Sequence, residues 1–410
     1  MFAVSAVSAE PAEHKLTGMT WEHVRGHGCL VASDPFLQSH LGITVDWTAR
    51  SLLAFGDQKI EEFYQDFDLM VIDYPHIPDA VAAGTVLAFE DFVSAADLDQ
   101  LAQESVGGSH HSYLFRNKHW ALALDAASQV SAYRPDRADS EPLTWNDAKE
   151  IGKAGKLLWP YKPVDAFSTF ATLCAQLGAP LAGGKDFIDY QIAAHALELM
   201  IEFTHLVPDF CATFNPIDTA EALAEDGPFT HAVALYGYTN YGRVGFRKNL
   251  LSYDDIPSFD GQASGACLGG TGIAVSSATK NPEAAFKAAL TLAKGDVQST
   301  VYTKAGGQPA HGQGVDACRQ GHGGGPCSAF GGCVGLPLTG IPLQHRLSWD
   351  GALQSNASGL PAQLLGQGGG GPLPTPINLP ISWDDTTIAY TFTDFGGNVS
   401  GFAPDPSGRR

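Results

Sequence analysis

Apolar and polar positions follow two rhythms along this chain. Residues 67–72 (FDLMVI) form a short apolar run that ends at Asp73, the pattern of a strand buried on both faces of a parallel sheet. Residues 42–47 (GITVDW) alternate with a period of two, and residues 53–64 carry apolar side chains at helical spacing. Together they predict a β-α-β unit and an open parallel sheet. Further on, Thr144 ahead of Trp145, with Asp147 three residues later, predicts the start of a helix over 144–155. Residues 189–206 have the spacing of a long helix, and 272–276 (GIAVS) that of a strand. Asn281-Pro282-Glu283 opens another helix, with Asn281 as its cap and Pro282 in its first turn.

The pattern breaks after Asp316. Residues 317–410 hold 19 glycines, no lysine and no glutamate, a composition that disfavours helices and predicts an irregular tail. So abrupt a change also fits a shifted reading frame or a fusion.

Composition narrows the function. A chain of 410 residues exceeds one ordinary core and predicts two lobes. Its net charge of −20 argues against nucleic acid and anionic membrane surfaces as partners. No apolar run is long enough to span a bilayer. The seven cysteines are widely spaced and form no CxxC pair, which supports neither a disulfide framework nor a zinc site. A metal cluster of Cys318, Cys327, Cys333, His311 and His322 matches no standard ligand spacing, and no cofactor is expected. Residues 1–10 (MFAVSAVSAE) end in small residues like those before a signal-peptidase site but lack a basic region, so the compartment stays open.

Four blocks, in order, resemble extracellular solute-binding proteins of family 1, the substrate-binding components of carbohydrate ABC importers. They are 19–26 (MTWEHVRG), 67–92 (FDLMVIDYPHIPDAVAAGTVLAFEDF), 120–135 (WALALDAASQVSAYRP) and 268–276 (LGGTGIAVS). The resemblance covers about residues 16–316 and departs from the family in the Gly-rich tail. It implies a two-lobed, periplasmic-binding-protein-like (type II) α/β fold. Lobe 1 would comprise 16–122 and 268–316, lobe 2 would comprise 123–267, and 317–410 would be an atypical tail. It further implies a monomer in the periplasm or outside the cell, which binds a small sugar, sugar acid or polyol by lobe closure and delivers it to membrane permease subunits.

Ligands of open α/β sheets sit beyond the carboxyl ends of strands, which singles out the residues there. Asp73 and His76 follow the strand at 67–72, and a carboxylate accepts two hydrogen bonds from sugar hydroxyls. Their bland alternative is a helix cap and a surface loop. Trp21, His23 and Arg25 cluster in the first turn. Trp21 either stacks on a ring or joins the core, and Arg25 pairs with a ligand carboxylate or with Asp73. Asp125 and Gln129 in the first crossing would face the cleft. Lys162, Asp165 and Ser168 precede an apolar helix, where either of the latter two could simply cap it. Tyr236, Tyr238 and Asn240 offer flat faces and polar groups for the second wall. Gly269 and Gly270 would let backbone approach the ligand. The rival function is a glycoside hydrolase using Asp73, His76 and Asp125 as acid–base groups, although no GxSxG or HExxH motif occurs.

Overall fold

The computed structural model of the protein describes residues 14–181, 187–262 and 266–319, together with the strands Tyr390–Thr393 and Val399–Phe402. Those last two strands belong to a second unit and pair antiparallel within it. The rest of the tail, with its expected irregularity and Cys327, Cys333 and His322, lies outside the described residues.

Lobe 1 is built on a five-stranded sheet in the order Ile43–Arg50, His14–Trp21, Leu69–Asp73, Thr271–Val275, Leu122–Ala123. Its first three strands run parallel. Leu69, Met70 and Val71 are fully buried, as a strand covered on both faces requires. Thr271–Val275 runs antiparallel to both neighbours, so the sheet is mixed rather than purely parallel. The reason is the direction of entry. This strand arrives from lobe 2 at the end where Thr271 pairs with Asp73, and so runs away from the cleft.

The helices also differ in detail from their sequence signals. The region 53–64 is a short helix, Leu52–Asp57, followed by two 3-10 turns, Ile60–Glu62 and Tyr64–Asp66. Thr144 and Asp147 form a complete capping box on Trp145–Lys153. Tyr190–Thr204 is capped by Asp189. Pro282–Ala293 has its proline at the start, but the Asn281 side chain makes no capping bond.

Lobe 2 carries a sheet in the order Ser252–Asp254, Ala127–Tyr133, His231–Tyr236, Leu157–Leu158, with Leu268–Gly269 pairing against the start of Ala127–Tyr133. Separate apolar clusters pack around Ala232 and Leu235 and around Val233 and Ala234. Ala234 adopts φ 55° where the register with Val130 and Ala132 shifts. Such a bulge redirects the side chains that follow, and here those are Leu235 and Tyr236.

The chain crosses between lobes through Leu124–Ala126 and returns through Gly269–Gly270. The Leu124 and Asp125 amides both donate to the Thr271 carbonyl, at 2.9 and 3.0 Å, and the Thr271 amide donates back to the Asp125 carbonyl at 3.1 Å. Gln308 joins them, donating from its side chain to the Ala126 carbonyl at 2.6 Å. At Gly270 φ is 99°, and a Cβ would overlap the Asp125 carbonyl oxygen, so this turn needs glycine.

Candidate functional site

The carboxyl ends of His14–Trp21 and Leu69–Asp73 face the same side as the hinge, and so does the end of His231–Tyr236, where Tyr236 pairs with Gln129. The site grows from the first of these. Past Trp21 the chain enters a π-helical turn, Val24–Gly28, capped by the His23 Nδ1, which accepts the Arg25 amide at 3.0 Å. Gly26 is obligatory there because a Cβ would run into the Trp21 indole. Trp21 itself packs on Phe55, with ring centroids 5.2 Å apart, and is core rather than a ligand platform.

Arg25 is 4% exposed and ties three parts of the molecule together. Its Nε donates to the Asp125 Oδ2 at 2.7 Å, its Nη2 to the Asp125 Oδ1, and its Nη1 to the Gly237 carbonyl at 2.9 Å. Its guanidinium lies 4.4 Å from the centroid of the Tyr238 ring. Burial opposes the charge on Arg25, yet Asp125 holds its pKa above the usual arginine value. The arginine therefore pairs with Asp125 and not with Asp73, and Asp125 is occupied rather than free for ligand. His23 adds an edge-on contact to Tyr238, with centroids 5.0 Å apart; burial, then Arg25 and Arg247, push its pKa down to about 4.

Asp73 closes its strand and does not cap the turn that follows. Its carboxyl is pushed up to about 7, first by burial and then by the Asp125 charge, with Arg25 opposing. Next to it, the Tyr74 hydroxyl donates to the Leu268 carbonyl at 3.1 Å, and Tyr113 donates to the Gly270 carbonyl at 3.4 Å. These two tyrosines brace the return crossing, and the sequence reading passed over both. Tyr74 was within reach of it, as the residue directly after Asp73; Tyr113 lies in no recognisable block. His76 sits in the same turn, Tyr74–His76.

The opposite wall comes from lobe 2. Asp165, 4% exposed, lies in the first turn of the helix Pro163–Gln176. It does not cap that helix: the Lys162 amide donates instead to the Phe214 carbonyl at 3.2 Å. The Asp165 Oδ2 is buried with no donor among the described residues. Burial pushes this carboxyl up to about 7, with Lys162 opposing and Asp218 adding. Ser168 bonds back to the Val164 carbonyl at 3.0 Å and lies beside the Tyr236 hydroxyl. The Tyr238 hydroxyl feels the charges of Arg25, Asp125, Asp73 and Asp165, and of these Arg25 lies over its ring.

Four of the expected residues are engaged within the chain. Gln129 is fully buried inside lobe 2, donating to Thr169 Oγ1 and the Ala234 carbonyl and accepting from Thr172. Asn240 donates to the Gly306 carbonyl at 3.0 Å, fastening lobe 2 to the segment ahead of the helix Gly312–Arg319, while its Oδ1 is buried with no donor among the described residues. Gly269 makes room for Tyr236, whose ring would stand 2.7 Å from an added Cβ, and Gly270 serves the hinge. Among the described residues no group of three His, Cys, Asp or Glu could hold a metal, and His311 is bound to Glu104 at 2.9 Å. A concavity of about 430 Å³ lies at the opposite strand ends, near Ile43, Lys280 and Lys287, and contains none of these groups.

No protein-family model matches the sequence, and no curated protein matches it. Solved structures do match. Maltose-bound MalE3 of T. maritima superposes with a TM-score of 0.62 at 16% identity, covering 76% of this chain and 85% of that one. A ribitol complex of an ABC transporter solute-binding protein from Agrobacterium radiobacter gives 0.59 at 16% identity, over 75% and 82%. The maltotriose-binding protein of Thermus thermophilus, bound to maltotriose, gives 0.58 at 17% identity, over 76% and 84%. With two hinged α/β lobes and this likeness, the chain has the fold of the solute-binding proteins of ABC transporters.

Proposed function

We propose that the chain is the substrate-binding component of an ABC importer, which closes two lobes on a small polar, carbohydrate-like solute and catalyses no reaction. The observation that carries this reading is the clasp of Arg25, from the first lobe, on Asp125 at the hinge and on the Gly237 carbonyl and Tyr238 ring of the second, with Asp73 and Asp165 within electrostatic reach of Tyr238. Flat aromatic faces and carboxylates are what a polyhydroxylated ligand requires. Ligand bridging the lobes would stabilise the closed form, which membrane permease subunits then recognise. A monomer in the periplasm or outside the cell follows from the same reading. The solved relatives, whose names record maltose, ribitol and maltotriose, support it. The hydrolase reading has less to stand on, because both oxygens of Asp125 are engaged by Arg25 and cannot relay a proton to substrate.

The test is a thermal-shift screen of sugars, polyols and their amino and acid derivatives, with product analysis alongside. Ligand-dependent stabilisation without turnover is expected, lost in Tyr238→Ala. A screen with no hit, or hydrolysis of a glycoside, would sink the proposal.

A further inference from the structure

The charges of the cleft do not balance. Arg25 already faces Asp125 and the Gly237 carbonyl, so the pair is neutral. Asp73 and Asp165 remain, one on each lobe, neither capping its own turn or helix. Asp165 carries the stronger signal. A buried carboxylate oxygen without a donor is costly and uncommon in native proteins, and the Asp165 Oδ2 is one. The groups around it are Lys162 at the start of its helix, Asp218 on the helix Pro216–Ala224, and Tyr236 and Tyr238 from the strand end. Lys162 acts on it through its charge, opposing the effect of burial. The helix N-terminus favours its ionised form, yet burial outweighs that help. Asp73 faces Asp125, Arg25, Tyr74 and Tyr113.

We infer that the solute is an amine-bearing sugar or polyol, whose ammonium group is received by the Asp165 carboxylate while Asp73 across the cleft adds to the negative field. This rests on the solute-binding reading and names the class of solute. An ammonium supplies the N–H donors that the Asp165 Oδ2 lacks, and charge-assisted bonds are the strong ones. A sugar acid or phosphorylated polyol meets two carboxylates and an arginine that is already paired. The whole-chain charge of −20 steers solutes the same way. Asp73 and Asp165 both titrate near 7, being ionised above and neutral below. Preference for the amine is therefore present above that pH and fades as pH falls through it.

Calorimetry with matched compounds tests this: sorbitol against 1-amino-1-deoxysorbitol, whose alkylammonium persists at pH 8, and gluconate as the acid. At about pH 8 the amine of a pair should bind about tenfold more tightly than its neutral twin, and at about pH 6 the gap should shrink. Asp165→Asn, which keeps the side-chain shape, should abolish the gap between the twins. Should that variant fold poorly, the pH dependence of the unaltered protein gives the same answer. Equal binding of the twins, tightest binding of gluconate, or a preference that survives Asp165→Asn overturns the inference and leaves the importer reading intact. Absence of binding by every compound here and in the wider screen overturns both.

Discussion

Asp125 and Asp165 are buried to almost the same degree, 1% and 4% exposed, and both act through their charge on the Tyr238 hydroxyl. Asp125 has an arginine on both oxygens; the Asp165 Oδ2 has no donor among the described residues. Burial alone therefore does not mark a ligand group. A buried carboxylate that is satisfied from within the chain is part of the scaffold, here a clasp between turn, hinge and second lobe. The unsatisfied one is the group to which our proposal assigns the solute. Gln129 belongs with Asp125, since its amide is fully bonded within lobe 2.

Breaking the satisfied member should have the largest effect. Arg25→Met strands the Asp125 charge and is expected to cost about 3–5 kcal/mol in urea unfolding, whereas adding Asp125→Leu should recover most of it, because a buried pair replaced by apolar groups is often neutral. A loss below about 1 kcal/mol in the single variant would show that water already reaches Asp125, and the contrast would collapse.

The unsatisfied member should respond with the opposite sign. The folded pKa of Asp165, about 7, lies above the ordinary unfolded value of about 4. Between these the folded state binds more protons, so stability falls as pH rises from about 4 to about 7 and is flat above. Asp165→Asn removes that loss. At about pH 8 the ligand-free variant should be more stable than the parent by up to about 4 kcal/mol, three units at about 1.4 kcal/mol each, and about equal to it at pH 4. Asp125→Asn, which weakens a charge-assisted pair, should instead destabilise at pH 8. Melting temperatures across this range for the three proteins decide the matter; two variants moving together would refute the distinction.

Local signals in the sequence carried the fold a long way, and the site less far. The run at 67–72 is legible because burial on both faces leaves only apolar residues, and Asp73 is then the first polar group at the strand tip. Arg25 and Asp125 were both visible as cleft residues, but their pairing spans 100 positions and no local pattern encodes it. Gln129 misled for a related reason. Its strand is buried on both faces, so period-two alternation does not say which side chains look into the cleft. The Ala234 bulge, which aims Tyr236, depends on a positive φ that alanine gives no reason to expect. Even the absence of capping by Asp165 turned on Phe214, whose carbonyl takes the Lys162 amide that a capping carboxylate would have received.

The smallest expected effect tests the same distinction where no ligand is involved. Thr144 and Asn281 carry equivalent helix-start signals, each a capping residue type just ahead of the first turn. Thr144 accepts the Asp147 amide at 3.1 Å, and Asp147 returns the bond by accepting the Thr144 amide at 2.9 Å. Asn281, at φ −128° and ψ 61°, makes no side-chain capping bond, and Pro282 after it has no amide to offer. Thr144→Ala should therefore cost about 1 kcal/mol, and Asn281→Ala only a few tenths. Chemical denaturation of the two variants side by side is sufficient. Equal losses would mean that residue type alone sets the cost, and that the formed bond, which separates Asp125 from Asp165 as well, is the wrong thing to count.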